Sequence, residues 1–418
     1  MEMTTRRRIA VLSKKSLADH DYPGWLASAD GRPQIVLFAE DSDATRAHLA
    51  ERPGVYHRHR LFGNWKGNRA VDEAVLAAHA EQPIDSVVAL SECDVVRAAQ
   101  LRDRLGLRGP GPRAARAYRD KLQMKTLARR AGIAVPEFAA VDSVLDLDDF
   151  LAAHPAGIVV KPVDGAGAAE VRTVTSRDEL DRWARMRNLS GDDTAGLMVE
   201  EYVDAPMFCV DGLAREGRVL LAVASRYTRT PLSSLSEVEP LGLLTLDRGS
   251  RADLVLQQTA RRVVAALPPM NGVHSFHCEL FWPRGGQPLL CEIAARTGGG
   301  KIRWMVDHVL GVDLEAEAAK GQAGLPWTGA PSSGTGSVAG FVLFPRPGRR
   351  LKPLPRVCPV PGVVEVHERV DLSETEERSA AHKSSEYVID ATLTAGTHSE
   401  LSAVHAGAVT WIQQESAW

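Results

Sequence analysis

Residues 275–296, SFHCELFWPRGGQPLLCEIAAR, constrain this chain more than any other stretch. Two apolar runs flank Gly285 and Gly286, the pattern of a β-hairpin. A turn centred on these glycines makes paired positions sum to 571, which sets Glu279 across from Glu292. Pro283 and Pro288 widen the loop, and a symmetric widening keeps the register. Facing residues hold their Cβ atoms about 5 Å apart, where like charges repel. Alternation makes one face apolar: Phe276, Cys278, Leu280, Trp282, Leu289, Cys291 and Ile293. The other face sets His277, Glu279 and Phe281 against Leu290, Glu292 and Ala294. A fold that keeps two carboxylates face to face neutralises them with a divalent cation, a basic side chain or a shared proton. Two solvated acids on an exposed hairpin are the alternative. Arg296 and the run Gly298, Gly299, Gly300 follow at once, and acids, guanidinium and open backbone together suit a phosphorylated ligand.

The rest of the chain narrows the setting. Its 418 residues exceed one ordinary core, so two or three domains are expected. Fractions of 44% hydrophobic and 25% charged are those of a soluble globular protein. The net charge of −3 offers no general attraction to nucleic acid or membrane, and Arg6, Arg7 and Arg8 are too few to change that. No long apolar stretch follows those arginines, so no signal peptide is expected, and no apolar run approaches the roughly 20 residues of a membrane span. Cys93, Cys209, Cys278, Cys291 and Cys358 show no CxxC spacing, which fits a reduced, cytoplasmic protein without structural zinc.

Short apolar runs at 8–12, 34–39 and 86–90 alternate with helical patterns, one of them through Val95, Ala98, Leu101 and Leu105, and predict a small parallel α/β unit. Residues 106–115 form a turn-rich connection. In YRDKLQMKTLARRAGIAVPEF, Met124, Leu127, Ala128 and Ala131 recur at helical spacing, Gly132 is the C-cap and Pro136 stops the helix. Strands are expected at 157–161, in VRTV, at 197–203 and over 208–225, with a turn near Glu216 and Gly217. The polar stretch 226–250 reads as a substrate loop. A helix with core positions Leu254, Val255, Val263 and Val264 precedes the hairpin. GAPSSGTGS (329–337) is the clearest linker. Beyond it VAGFVLF, VVEVHERV, YVIDATL and AVTWIQ predict a smaller β-rich lobe.

Lys161 ends a buried strand before the loop DGAGAAE, where the N–H groups of Gly165 and Gly167 can approach a phosphate without a Cβ in the way. No GK[ST] closes this loop, so it is not a Walker A sequence, and an ordinary strand-end lysine is the alternative. Glu200 and Glu201 end another strand, either solvated or flanking an adenine. Lys121 and Lys125 share a helix face. His277 neighbours the two acids; a satisfied structural histidine is its alternative.

The order of these features resembles the ATP-grasp superfamily, in particular its carboxylate–amine ligases, including bacterial L-amino-acid ligases that make dipeptides. RDKLQMKTLARRAGIAVPEF, IVVKPVDGAGAAEV, LMVEEYV and FHCELFW…LLCEIAARTGGG carry the resemblance, which covers residues 85–325 well. It implies an α/β and α+β chain: an N-terminal parallel α/β domain (1–115), a central ATP-grasp domain (116–330, lid about 135–205) and a β-rich C-terminal lobe (331–418). It implies ATP as co-substrate, held by Lys121 and Lys161, a flap over 164–169, and adenine contacts at Glu200, Glu201 and the Val203 backbone. It implies two magnesium ions, replaceable by Mn²⁺, on Glu279 and Glu292. Arg296, Lys161 and Gly299 are then the catalytic group, with Gly298 and Gly300 beside the acyl substrate.

Two positions depart from the family pattern. Ala294 stands where Asn often completes the metal set, so the second magnesium has fewer protein ligands. Met207 stands where an acid usually binds ribose, with Asp204 and Asp211 the nearby acids. Arg226, Tyr227 and Arg229 are the candidates for holding an amino-acid carboxylate, with His277 also facing substrate. The expected reaction joins a small-molecule carboxylate, an amino acid, to an amine through an acyl phosphate, releasing ADP and phosphate. A carboxyphosphate-forming carboxylase and a non-catalytic nucleotide-binding protein are the alternatives. No nucleic acid or membrane partner is expected; a homodimer is compatible with this reading.

Overall fold

The computed structural model describes residues 6–418 apart from 29–30, 188–193, 328, 330–335, 349, 371 and 373–385. Most of the linker at 329–337 therefore lies outside the described residues.

The first sheet holds four parallel strands, β1 (Arg8–Ser13), β2 (Gln34–Glu40), β3 (Arg58–Phe62) and β4 (Ser86–Ala89), in the order β3-β2-β1-β4. Their Val-, Ile- and Leu-rich centre is apolar on both faces because helices cover both. β3, sequence RHRLF, is an exposed edge strand without apolar alternation, so sequence patterning did not signal it. On one face the sheet packs against Ala318, Ala319 and Ala323 from helix Leu314–Gln322 and its cap. There the Gln322 side-chain amide pairs with both the N–H (2.9 Å) and the C=O (3.0 Å) of Ala89.

A small antiparallel sheet follows: β5 (Phe138–Ala140), β6 (Ile158–Pro162), β7 (Arg172–Val174) and β8 (Leu197–Glu201), ordered β5-β8-β6-β7. Helices Val144–Ala153 and Arg177–Met186 back it through Leu147, Leu180 and Trp183.

The third sheet has eight strands, β9 (Met207–Arg215), β10 (Arg218–Tyr227), β11 (Leu241–Thr245), β12 (Val273–Phe281), β13 (Leu289–Ala294), β14 (Val338–Pro345), β15 (Val363–Glu368) and β16 (Tyr387–Ala395). Their order is β13-β12-β9-β10-β11-β14-β16-β15. Hydrogen bonding runs unbroken from β11 into β14, so the strands beyond residue 331 extend the sheet that carries the hairpin. We propose 1–115, 116–330 and 331–418 as units of sequence, with one sheet shared by the last two.

Four expectations need correction. Residues 226–250 are not a loop: they contain helix Pro231–Glu237, capped by Thr230, and the buried strand β11. AVTWIQ is not a strand. It lies in helix His398–Ser416, which opens with a Thr397/Glu400 capping box and buries Leu401, Ala408 and Ile412 at helical spacing. Tertiary burial of that stripe overrides the local β-branched bias. In helix Arg251–Ala266 the core stripe is Leu256, Ala260, Val263 and Val264, while Leu254 is exposed. In helix Lys121–Arg130 the buried arc is Lys121, Met124, Lys125 and Ala128, and Ala131 is the exposed C-cap. Among the described residues, no helix is long and apolar enough to cross a membrane.

Candidate active site

The hairpin of β12 and β13 forms with Glu279 opposite Glu292, Cys278 opposite Ile293 and His277 opposite Ala294. A β-bulge then shifts the register, so Leu280 pairs with Leu290 and Phe281 with Leu289. This reverses two expected faces. Leu290 packs in the core with Met124 and Phe276, whereas Cys291 turns to the cavity beside Glu292. The bulge thus gives the site a longer wall than strict alternation allows.

That wall closes a cavity of about 650 Å³ between the small sheet and the large one. Lys161 and Glu200 reach it from β6 and β8. Val159 pairs with Glu200, so Lys161, two residues on, lies diagonal to Glu200 on the same face. Glu200 is buried and ion-paired with Lys161 and with Lys125, the latter at 3.0 Å. Lys125 also donates to Leu290 O at 3.1 Å. Burial works to raise the Glu200 carboxyl, yet the two lysines hold it below the ordinary carboxylate range. Burial pulls Lys125 down despite Glu200, whereas for Lys161 burial is opposed by Glu200 and Glu292 together, and the balance raises it.

One helical turn from Lys125, Lys121 donates to Gly165 O (2.7 Å) and pairs with Glu292 (3.1 Å). Burial opposes ionisation of Glu292, but Lys121 and Lys161 hold its carboxyl down to about 2. Glu279 is engaged differently: the Tyr227 hydroxyl donates to it at 3.0 Å, and His277 Nε2 lies 3.3 Å away. His277 Nδ1 pairs with the buried Asp211 at 2.8 Å, which accepts from Cys209 Sγ at 3.1 Å. Against the effect of burial, Asp211 and Glu279 push the imidazole up to about 10. The two facing acids are therefore engaged from separate sides, Glu292 by the Lys121 ammonium and Glu279 by the His277 imidazole and a hydrogen bond from the Tyr227 hydroxyl.

Arg296 pairs with Glu92, which also accepts from Arg119 at 2.7 Å. Glu92 follows β4 at the carboxyl end of the parallel sheet, the usual ligand side of such sheets. Arg296, Gly165 and Gly299 border both the first cavity and a second of about 950 Å³, which Lys14, Lys15 and Lys66 also line.

Of the sequence candidates, Lys121, Lys161, Gly165, Gly167, Glu200, Glu201, Val203, Tyr227, His277, Glu279, Glu292, Arg296, Gly299 and Gly300 line the first cavity. Gly298 lines the second, with Met207 and Asp204 in the first. Arg226 is a correction: alternation on β10 turns it to the face opposite Tyr227, where it is exposed and outside both cavities. Arg229 is tied to Glu237 at 2.8 Å. Asp211 is committed to His277. The sequence sets Lys125 on one helix face with Lys121 but gives it no site role, and Glu92 has none either. Lys125 was detectable, since it falls inside the Met124–Ala128 apolar arc; Glu92 carried no local signal.

The residues present fit a nucleotide polyphosphate with a hard divalent cation. Glu279 and Glu292 are paired across β12 and β13, and two lysines, Lys121 and Lys161, and Arg296 line the same cavity.

No family model matches the chain. It is 28% identical over 240 residues to an L-arginine-specific L-amino acid ligase of Bacillus subtilis, covering 56% of each chain. It is 23% identical over 335 residues to the alanine–anticapsin ligase of Bacillus subtilis strain 168, covering 74% of this chain and 65% of that one. The chain thus spans less than two thirds of the length of these curated relatives. Among solved structures, an L-amino acid ligase from Bacillus licheniformis superposes with a TM-score of 0.70 at 16% identity, over 98% of both chains. A carboxyaminoimidazole ribonucleotide synthase from Aspergillus clavatus, complexed with ATP, gives 0.68 at 15% identity, over 98% of this chain and 99% of that one. The element order, the three sheets and these superpositions over nearly the whole length give the chain the ATP-grasp fold.

Proposed function

We propose that the protein is an ATP-dependent carboxylate–amine ligase that joins an amino acid to an amine with release of ADP and phosphate. The observation that carries this reading is the convergence of Glu279, Glu292, Lys121, Lys161 and Arg296 on one cavity wall. The resemblance to amino-acid ligases in sequence and fold supports the substrate class.

A carboxylate does not condense with an amine unaided, because it is a poor electrophile and its oxygen a poor leaving group. A carboxylate oxygen of the substrate attacks the γ-phosphorus of ATP, giving an acyl phosphate and ADP. The amine then attacks the acyl carbon, phosphate departs with the bonding pair, and the amine loses a proton. Negative charge gathers first on the phosphoryl oxygens and then on the tetrahedral oxygen. Lys121 and Lys161 face the first, and Arg296 with the N–H groups of 298–300 faces the second. Glu279 and Glu292 would hold Mg²⁺, which supplies charge neutralisation on the transferring phosphoryl group. In that state Lys121 is released from Glu292 toward phosphate. The loop 164–169, tied to Arg119 through Asp164 O and to Lys121 through Gly165 O, closes over the site and excludes water from the acyl phosphate. Glu201, the Val203 backbone and Met207 flank the adenine end. We assign the protein to the reducing cytoplasm, in keeping with its five free cysteines.

The test is release of ADP and phosphate across a matrix of carboxylates and amines, with mass detection of the amide. Formation of AMP with an amine acceptor would overturn the assignment. ADP formation dependent on bicarbonate alone would transfer it to a carboxylase.

A further inference from the structure

The cavity that holds the acids and lysines continues along the same sheet face into an apolar end. Tyr227 is paired with Leu243, Leu241 with Leu343, and Leu243 with Phe341, so one face of β10, β11 and β14 is apolar side by side. Leu232, Leu241, Ile302, Phe341, Leu343 and Tyr387 line this end, and all but Leu232 are buried in its walls.

The backbone at 298–300 rests directly on it. Gly300 has φ +66°, and a Cβ there would stand 2.9 Å from Phe341 Cε2 and 3.3 Å from Leu343 Cδ1. A carboxylate held by this backbone therefore projects whatever it carries onto Phe341 and Leu343.

Among the described residues, the charge that lines this end is positive. Asp390 lies across from Leu343, but its buried carboxylate is spent on Lys301 at 2.9 Å and on Arg369 at 3.1 Å. Arg369 lines the cavity, whereas Asp390 does not. Glu279 and Glu292 are engaged by Tyr227, His277 and Lys121. Among the described residues, a guanidinium or ammonium entering the apolar end would meet the Arg369 guanidinium.

Resting on the ligase reading above, we propose that the carboxylate-donating substrate is an amino acid with a large aliphatic or aromatic side chain, seated on Leu241, Phe341 and Leu343. Burial of such a side chain is worth about 10- to 100-fold in kcat/KM over glycine. The experiment measures ADP formation with leucine, methionine, phenylalanine, glycine, glutamate and arginine as donors, each against the same panel of amines. It is paired with calorimetric titration of phenylalanine and arginine into the wild type and Leu343→Asp. The expected result is preference for the three apolar donors and binding of phenylalanine that Leu343→Asp weakens at least tenfold. Turnover that favours arginine, glutamate or glycine overturns the proposal and leaves the ligase reading standing. Absence of turnover with every pair overturns the ligase reading. In that case phenylalanine binding lost in Leu343→Asp supports the apolar seat, and absent or unaltered binding overturns it. Retention of the wild-type circular dichroism spectrum by Leu343→Asp, or by Leu343→Ala if the acid unfolds the chain, separates lost binding from lost fold.

Discussion

Replacing Glu200 by Gln isolates the electrostatics of the site from its chemistry. Glu200 is the shared counter-ion of Lys125 and Lys161, and both ammonium groups are buried. The amide keeps shape but removes the charge. Breaking a buried ion pair by deleting one partner costs about 3–5 kcal/mol, and here one deletion strands two cations. Lys161 retains the field of Glu292, whereas Lys125 keeps only Leu290 O. Lys125, already pulled down by burial, is thus the group that gives up its proton in the variant. The folded variant then binds fewer protons than the unfolded chain below the ordinary lysine value, so its stability rises with pH. Urea unfolding should show a loss of about 3–5 kcal/mol near pH 7, shrinking toward pH 9. Inorganic tripolyphosphate supplies the missing anion and should stabilise the variant more than the wild type. Unchanged stability near pH 7, or a loss equal at both pH values, would refute the shared counter-ion argument.

Three further outcomes follow from other parts of the structure. Glu292→Ala is expected to reduce ADP formation by a factor of about 1000 or more while calorimetry still detects nucleotide; near-normal turnover would remove this residue from the metal set. Glu315 joins Lys15, His20 (2.6 Å) and Arg303 (3.6 Å) across the contact between the first sheet's loops and helix Leu314–Gln322. Burial opposes its ionisation, but His20 and Lys15 hold it at about 2 against an ordinary 4.5. A depressed carboxylate contributes stability above the unfolded value that disappears as pH falls through the folded one. Glu315→Gln should therefore cost about 3 kcal/mol at neutral pH and progressively less from about pH 4.5 to about pH 2, read by denaturant titration at each pH. Gly298→Ala would set a methyl group against Ile302, 2.7 Å from His277 Nδ1 and 2.9 Å from Asp211 Oδ1. The His277–Asp211 hydrogen bond must then open, and the downfield imidazole N–H proton resonance of wild type should be lost.

What the sequence reveals depends on how local the cause is. Glu279 faces Glu292 because a Gly285–Gly286 turn fixes a register, and that cause lies within twenty residues. The exchange of Leu290 and Cys291 does not, because the bulge is stabilised by contacts from elsewhere: Leu290 N donates to Ala134 O, and Ile293 N points at Met124 Sδ. Two backbone donors satisfied by the segment before and after Gly132 hold the irregular register that a lone hairpin would relax. Lys125 and Glu200 illustrate the same division. Each sits in a legible element, yet only the packing of helix Lys121–Arg130 against β13, with β8 behind, makes them a pair. The facing acids Glu279 and Glu292 were readable as an anomaly on one strand pair, while the cations around them come from separate elements. A sequence displays the charge that needs compensation more readily than the group that compensates it. Here the strongest signal was the repulsion of two like charges, and the fold's answer is Lys121 on Glu292 and His277 with Tyr227 on Glu279. Lys121 is paired with Glu292 and Lys161 with Glu200, so on the proposed reading a polyphosphate would exchange one set of buried ion pairs for another.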